Sequence, residues 1–128
     1  TCWGTGKPLR EFMHVDDLGE ACVFALKHWS PLNNAGPRDD EGNPLFFLNV
    51  GTGIDLSIRE LAEEVASAVG FKGTIRWDHS KPDGTPKKQL DVSRLTQYGW
   101  SARISLKEGL EQTINNFKQS LDTGSLRL

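Results

Sequence analysis

The sequence predicts a small α/β domain of short strands and about four helices, with residues 1–128 forming one unit. Three observations point to this class. Apolar residues recur at three- and four-residue steps in several segments, the spacing that gives a helix one apolar stripe. Two of those segments open with Ser-x-x-Glu, in which serine and glutamate each satisfy a free backbone N–H of the first turn. Short apolar runs lie between them, closed by Gly- or Pro-containing turns. A chain of 128 residues is long enough to bury a shared core without disulfides or metals.

From Trp3 the chain reads Gly-Thr-Gly, then Lys-Pro, then Leu-Arg-Glu-Phe-Met-His-Val, a turn leading into an extended stretch. Asp16 or Asp17 is placed to cap the helix that follows, in which Leu18, Ala21, Cys22, Ala25 and Leu26 form a stripe ending near Trp29. Residues 30–44 are rich in Pro, Asn, Gly and Asp and are expected to form a mobile surface loop. Leu45 to Val50 is an apolar run closed by Gly51-Thr52-Gly53, which predicts a buried strand entering a turn.

Ser57-Ile58-Arg59-Glu60 opens the second helix, with Ile58, Leu61, Val65 and Val69 on its inner face and Gly70 at its end. Thr74 to Trp77 predicts another strand, His79 to Lys88 a polar loop around Pro82-Asp83-Gly84, and Asp91 to Tyr98 a short helix. Ser105-Leu106-Lys107-Glu108 opens the last helix, whose Leu106, Leu110, Ile114, Phe117 and Leu121 share one face. The two Gly-Thr-Gly segments do not make an internal repeat, because their flanking periodicities differ.

A net charge of −2 gives no support to nucleic-acid or membrane binding, so any basic site must be local. No apolar run approaches the ~18 residues of a membrane span, and no secretion signal opens the chain, which therefore reads as soluble and cytoplasmic. Cys2 and Cys22 are too few and too far apart for a disulfide scaffold or a zinc site. The chain begins Thr-Cys-Trp-Gly and its single methionine, Met13, falls inside a structured segment, so a longer parent protein is expected.

Neither Gly-Thr-Gly completes Gly-x-Gly-x-x-Gly, since positions 9 and 56 are both Leu, so no dinucleotide fingerprint is present. No Gly-x-Ser-x-Gly elbow or Walker loop occurs, and His14, His28 and His79 lie far apart, which leaves hydrolase and metal chemistry without their usual signals. Arg10, on the extended stretch, suits either a bidentate fork onto phosphate oxygens or an ordinary ion pair. Trp3 suits either a stacking platform for a base or a core or interface position. His14 reads as a structural histidine near the strand end ahead of a base beside a sugar. Lys81, Asp83, Lys87 and Lys88 share a Pro-stiffened loop, which is either a solvated turn or a carboxylate for sugar hydroxyls flanked by lysines for a diphosphate.

Taken together, Trp3-Gly-Thr-Gly-Lys-Pro-Leu-Arg-Glu-Phe-Met-His-Val-Asp-Asp17, Asn49-Val-Gly-Thr-Gly53, Ser57-Ile-Arg-Glu-Leu61 and Lys81-Pro-Asp-Gly-Thr-Pro-Lys87 resemble the GDP-L-fucose synthase family. These are extended short-chain dehydrogenase/reductases that epimerise GDP-4-keto-6-deoxy-D-mannose at two carbons and reduce its keto group with NADPH. The Arg-Glu-Phe-x-His-Val-Asp-Asp portion is shared by many nucleotide-sugar enzymes; the Lys-Pro-Asp-Gly-Thr-Pro loop is narrower. The resemblance implies that residues 1–128 are the small C-terminal substrate-binding lobe of such an enzyme, with the N-terminal Rossmann half absent.

By position, the resemblance assigns Trp3, Arg10 and Asp83 to the GDP-sugar, with Lys81 and Lys87 as further phosphate contacts. The family's Tyr-x-x-x-Lys, serine, and epimerisation Cys and His precede this segment. Catalytic residues are therefore expected to be absent, and Tyr98, followed four residues later by Ala102, does not replace them. The implied cofactor is NADP(H), held mainly by the missing half; the implied partners are the GDP-sugar, the protein's own Rossmann domain and a second subunit of a homodimer. Two rival readings remain: the lobe of another nucleotide-sugar epimerase or dehydratase, and a non-catalytic binding module.

Overall fold

The computed structural model describes residues 1–30, 32 and 35–125. Its elements in order are β1 (Cys2–Trp3), β2 (Leu9–Glu11), α1 (Val15–His28), β3 (Asp55–Ser57), α2 (Ile58–Ala68), β4 (Trp77–Asp78), β5 (Lys87–Lys88), α3 (Ser93–Tyr98) and α4 (Leu106–Asp122). This is a small α/β fold with four helices and very short strands, as the sequence predicts. β1 pairs with β4, and β3, β2 and β5 form a second small sheet in that order. The chain divides into two compact units: Thr1–Arg10 with Leu56–Lys88 and Ser105–Leu128, and Glu11–Asp55 with Gln89–Ile104.

In the first unit, α2 and α4 pack on each other. Both capping boxes form: Ser57 accepts from the Glu60 amide and Ser105 from that of Glu108, while each glutamate accepts from its serine's backbone N–H. These local bonds fix where the helices start, which is why their N-termini are legible in the sequence. The apolar stripe of α4 is only partly covered. Leu106, Leu110 and Ile114 are half-buried, whereas Phe117 and Leu121 are exposed.

β1 runs parallel to β4, with Cys2 opposite Trp77 and Trp3 opposite Asp78. β2 runs parallel to β5, with Leu9 opposite Lys87 and Arg10 opposite Lys88. The expected strand at 74–77 is therefore shifted, with only Trp77 retained. A strand also appears at Lys87–Lys88, inside the expected loop, because backbone pairing with residue 9 asks nothing of side-chain polarity.

In the second unit, Ala21, Leu95 and Trp100 are buried, and Met13, Phe24, Leu48, Val50 and Ala102 pack around them. The expected strand at 45–50 does not form. Leu48 and Val50 reach the core without ladder partners and Phe46 and Phe47 stay exposed, so the apolar run reports partial burial and not sheet pairing. The stripe expected on α1 is mostly outward: Ala21 is buried, whereas Leu18, Cys22 and Leu26 are exposed.

α1 is capped by neither Asp16 nor Asp17. His14 takes that place, its Nδ1 accepting from the Asp16 amide at 3.2 Å. Within the expected loop at 30–44, positions 31, 33 and 34 lie outside the described residues; the rest holds a local turn. Asp39 Oδ1 accepts from the amides of Glu41 and Asn43, and Arg38 bridges antiparallel to Pro44.

Candidate functional site

The expected ligand-contacting residues meet in the first unit. Trp3 leaves β1, the chain turns through Gly4-Thr5-Gly6, and β2 then carries Arg10 beside the 81–88 segment. Gly4 and Gly6 hold φ angles of 77° and 75°, a region that side-chain-bearing residues rarely enter. They also admit close neighbours. A Cβ on Gly4 would lie 2.3 Å from an Asp83 carboxylate oxygen, and one on Gly6 would lie 2.7 Å from the Trp77 ring. Glycine is thus required twice, by conformation and by space.

The result is a cleft lined by Trp3, Gly6, Pro8, Arg10, Ile58 and the Pro82–Gly84 stretch, with a volume of about 120 Å³. Sites that enclose a drug-sized ligand run to roughly 300–1,000 Å³. This cleft therefore suits a phosphate or one edge of a ring, not a whole nucleotide-sugar. Three of the five expected residues, Trp3, Arg10 and Asp83, border it. Lys81 places its Nζ 5.5 Å from the Trp3 ring centroid, in cation–π range. Lys87 lies on β5 opposite Leu9, one register position from Arg10.

Arg10 is half-buried, and its Nη1 donates to the carbonyls of Leu9 and Thr85, each at 2.7 Å. One arm of the guanidinium thus ties β2 to the 81–88 segment, while Nη2 lies 3.2 Å from where a Cβ on Gly84 would stand. Arg10 forms no ion pair among the described residues. The Asp83 carboxylate is engaged too: Oδ1 accepts from the Thr5 amide at 2.7 Å and Oδ2 from the Thr5 hydroxyl at 2.6 Å. The Thr5 hydroxyl, then its amide, hold the Asp83 pKa below the ordinary carboxylate value, with His79 and Lys7 adding to the effect. Asp83 is ionised at neutral pH, and its nearest partner is the protein itself. Trp3 is 74% exposed, leaving the indole available for stacking.

Sequence reasoning missed the roles of three residues that organise the structure. Arg59, at the start of α2, donates from Nη2 to the Thr5 carbonyl at 2.8 Å and lies over Trp77, 4.6 Å from the ring centroid. In the second unit, Glu11 accepts from the amides of Thr52, Gly53 and Leu90. Also in the second unit, Asp17 is 2% exposed and accepts from the amides of Arg103 and Ile104. Their hydrogen-bond partners lie 41 to 87 residues away, so no local spacing marks them. The one available hint was Gly51-Thr52-Gly53, a turn whose amides need an acceptor.

The residues present do not fit a dinucleotide phosphate. Gly51-Thr52-Gly53 is the glycine turn after an apolar run, where such a phosphate would be cradled, and its amides are directed at Glu11. Among the described residues no group of His, Cys, Asp and Glu could hold a metal ion. Cys2 and Cys22 are free thiols, and the Tyr98 hydroxyl donates to the His28 carbonyl.

Comparison with known proteins begins with a family model. Residues 1–36 match the model of the NAD dependent epimerase/dehydratase family. More particularly, the chain is similar over most of its length to GDP-L-fucose synthases. It is 49% identical over 122 residues to the GDP-L-fucose synthase of Escherichia coli (strain K12), covering 94% of this chain and 36% of that protein. It is 50% identical over 111 residues to GDP-L-fucose synthase 1 of Arabidopsis thaliana, covering 87% of this chain and 30% of that protein.

Among solved structures, the GDP-mannoheptose C4 reductase of Campylobacter jejuni with NADP bound superposes with a TM-score of 0.74 at 33% identity, over 91% of this chain and 33% of that one. The chain thus spans about a third of the length of the relatives it matches, and its fold corresponds to that part of an extended short-chain dehydrogenase/reductase. Among the described residues, no helix is long and apolar enough to cross a membrane.

Proposed function

We propose that this chain is the GDP-sugar-holding lobe of a cytoplasmic enzyme that converts GDP-4-keto-6-deoxy-D-mannose to GDP-L-fucose by 3,5-epimerisation and NADPH-dependent 4-keto reduction. The supporting observation is the convergence of Trp3, Arg10 and Asp83 on one cleft, in a chain about half identical to GDP-L-fucose synthases. Each group offers a distinct kind of contact. The exposed Trp3 indole stacks on a planar base. Arg10, with its remaining donors, and Lys81 and Lys87 offer positive charge to a diphosphate. Asp83 fixes the turn that presents Trp3.

Proton and hydride transfer require tuned acids and a cofactor beside the sugar carbon, which this reading assigns to an N-terminal Rossmann domain of the longer protein. That domain closes on the lobe, holds NADP(H), and belongs to a homodimer. NADP(H) supplies the hydride when bound there; the residues described here bind and orient the substrate.

Calorimetry of the 128-residue chain with GDP and with UDP tests this reading. GDP is expected to bind in preference to UDP. Arg10→Lys is expected to weaken GDP by about 1–3 kcal/mol, since a planar fork that also holds Thr85 becomes a point charge. Equal affinity for the two nucleotides would point to a different nucleotide-sugar, and an unchanged dissociation constant in Arg10→Lys would remove Arg10 from the site.

A further inference from the structure

Thr5 sits between the two positive-φ glycines, Gly4 and Gly6, and its polar groups are held from two directions by opposite charges. Its amide and hydroxyl donate to Asp83, and its carbonyl accepts from Arg59. Arg59 is anchored as well: its own amide donates to the Gly6 carbonyl at 2.9 Å, and its guanidinium covers Trp77. Trp77 in turn pairs in register with Cys2, next to Trp3, and its ring lies where any Gly6 side chain would be. The turn that ends β1 is thus clamped by Asp83 on one side and by the Arg59–Trp77 stack on the other.

Helix stability gives no reason for Arg59. It is exposed and stands in the first turn of α2, where the helix dipole disfavours a cation. Its contacts belong to the Trp3–Gly6 turn. Lysine could not reproduce them, because only a planar guanidinium lies flat on an indole while donating in its own plane to a carbonyl.

We infer that Arg59 is a positioning residue for nucleotide binding: it makes no ligand contact of its own, and it fixes the turn so that the Trp3 indole stands at the cleft as a stacking platform. This rests on the GDP-sugar reading above, and the test separates the two. Calorimetry with GDP is run on the wild-type chain, Arg59→Leu, Arg59→Lys, Trp3→Ala and the Arg59→Leu/Trp3→Ala double variant, alongside thermal melts and amide and indole NMR spectra without ligand. Arg59→Leu and Arg59→Lys are each expected to weaken GDP about tenfold, the loss of one charge-assisted bond, with Tm within a few degrees of wild type.

Because Arg59 acts through Trp3, the double variant should bind no more weakly than Trp3→Ala. Without ligand, the Trp3 indole and Thr5 amide signals should move in Arg59→Leu while those of α4 stay in place. Unchanged affinity in both Arg59 variants, or additive losses in the double variant, would overturn the inference. If the wild-type chain fails to bind GDP, the functional reading fails, and the NMR arm still decides this one: unmoved Trp3 and Thr5 signals refute it, and moved signals sustain the clamp.

Discussion

Asp17 is buried, yet among the described residues it forms no ion pair; its carboxylate closes over the Arg103 and Ile104 amides at 3.1 and 2.9 Å. Arg103 instead reaches Glu20 at the surface, 3.2 Å away. Asp17 also lies in the first turn of α1, where the helix dipole favours a negative charge. The position therefore joins the start of α1 to the segment ahead of residue 105. Asp17→Ala leaves two amides without their acceptor, and we expect a loss of about 3 kcal/mol from hydrogen bonds to a charged group. Urea unfolding should show a lower midpoint with an unchanged slope. Asp17→Asn keeps one acceptor oxygen and should lose less. A midpoint unmoved in Asp17→Ala would show that water satisfies those amides. Sequence placed Asp17 near the helix start correctly but offered it, with Asp16, for the capping role that His14 fills, because its true partners lie 86 and 87 residues on.

At the scale of elements, helices were more legible than strands: of the strands, only the extended stretch of β2 and Trp77 of β4 were marked. The reason is physical. α2 and α4 announce themselves through capping boxes whose partners lie three residues apart. β4 and β5 comprise two residues each and exist only because β1 and β2 offer backbone partners, which no local pattern encodes. The turn at 51–53 is a further case: its glycines were visible, but the Glu11 carboxylate that organises them was not. Burial acts to raise the Glu11 pKa, but the amides of Leu90, Gly53 and Thr52 together with the Thr52 hydroxyl outweigh it, and the net shift is downward from 4.5. A carboxylate with a depressed folded-state pKa stabilises the fold fully above its ordinary value and loses that contribution as pH falls through the folded value. Glu11→Gln should accordingly be less stable than wild type at neutral pH, with the gap narrowing once pH drops below about 4.5. Paired urea titrations across that range isolate Glu11 from other depressed carboxylates such as Glu60 and Glu108, which both proteins share. A gap that stays constant with pH would mean that the glutamine amide replaces the carboxylate fully.

At the scale of the molecule, the candidate site was legible as residue types and only partly as geometry. The sequence marked Trp3, Arg10 and Asp83, and the fold gathers them around one cleft; it could not show that Asp83 and one arm of Arg10 are already engaged by Thr5 and Thr85. Such engagement holds both side chains in place by hydrogen bonds of the protein's own, which lowers the ordering cost of binding. Its small volume also bounds what it does alone, since a group that touches one edge of a nucleotide-sugar does not exclude water from the sugar carbons. Tyr98, the single tyrosine, has its hydroxyl on the His28 carbonyl and has no lysine four residues later. We therefore expect the 128-residue chain to bind GDP without turning over the keto-sugar. Incubated with GDP-4-keto-6-deoxy-D-mannose and NADPH in deuterated buffer, it should neither consume NADPH nor incorporate deuterium at the two epimerised carbons. Joined to a Rossmann domain carrying Tyr-x-x-x-Lys, the same lobe should support both. Deuterium incorporation by the chain alone would place a proton-transferring group within these residues and overturn the assignment of all chemistry to the other domain.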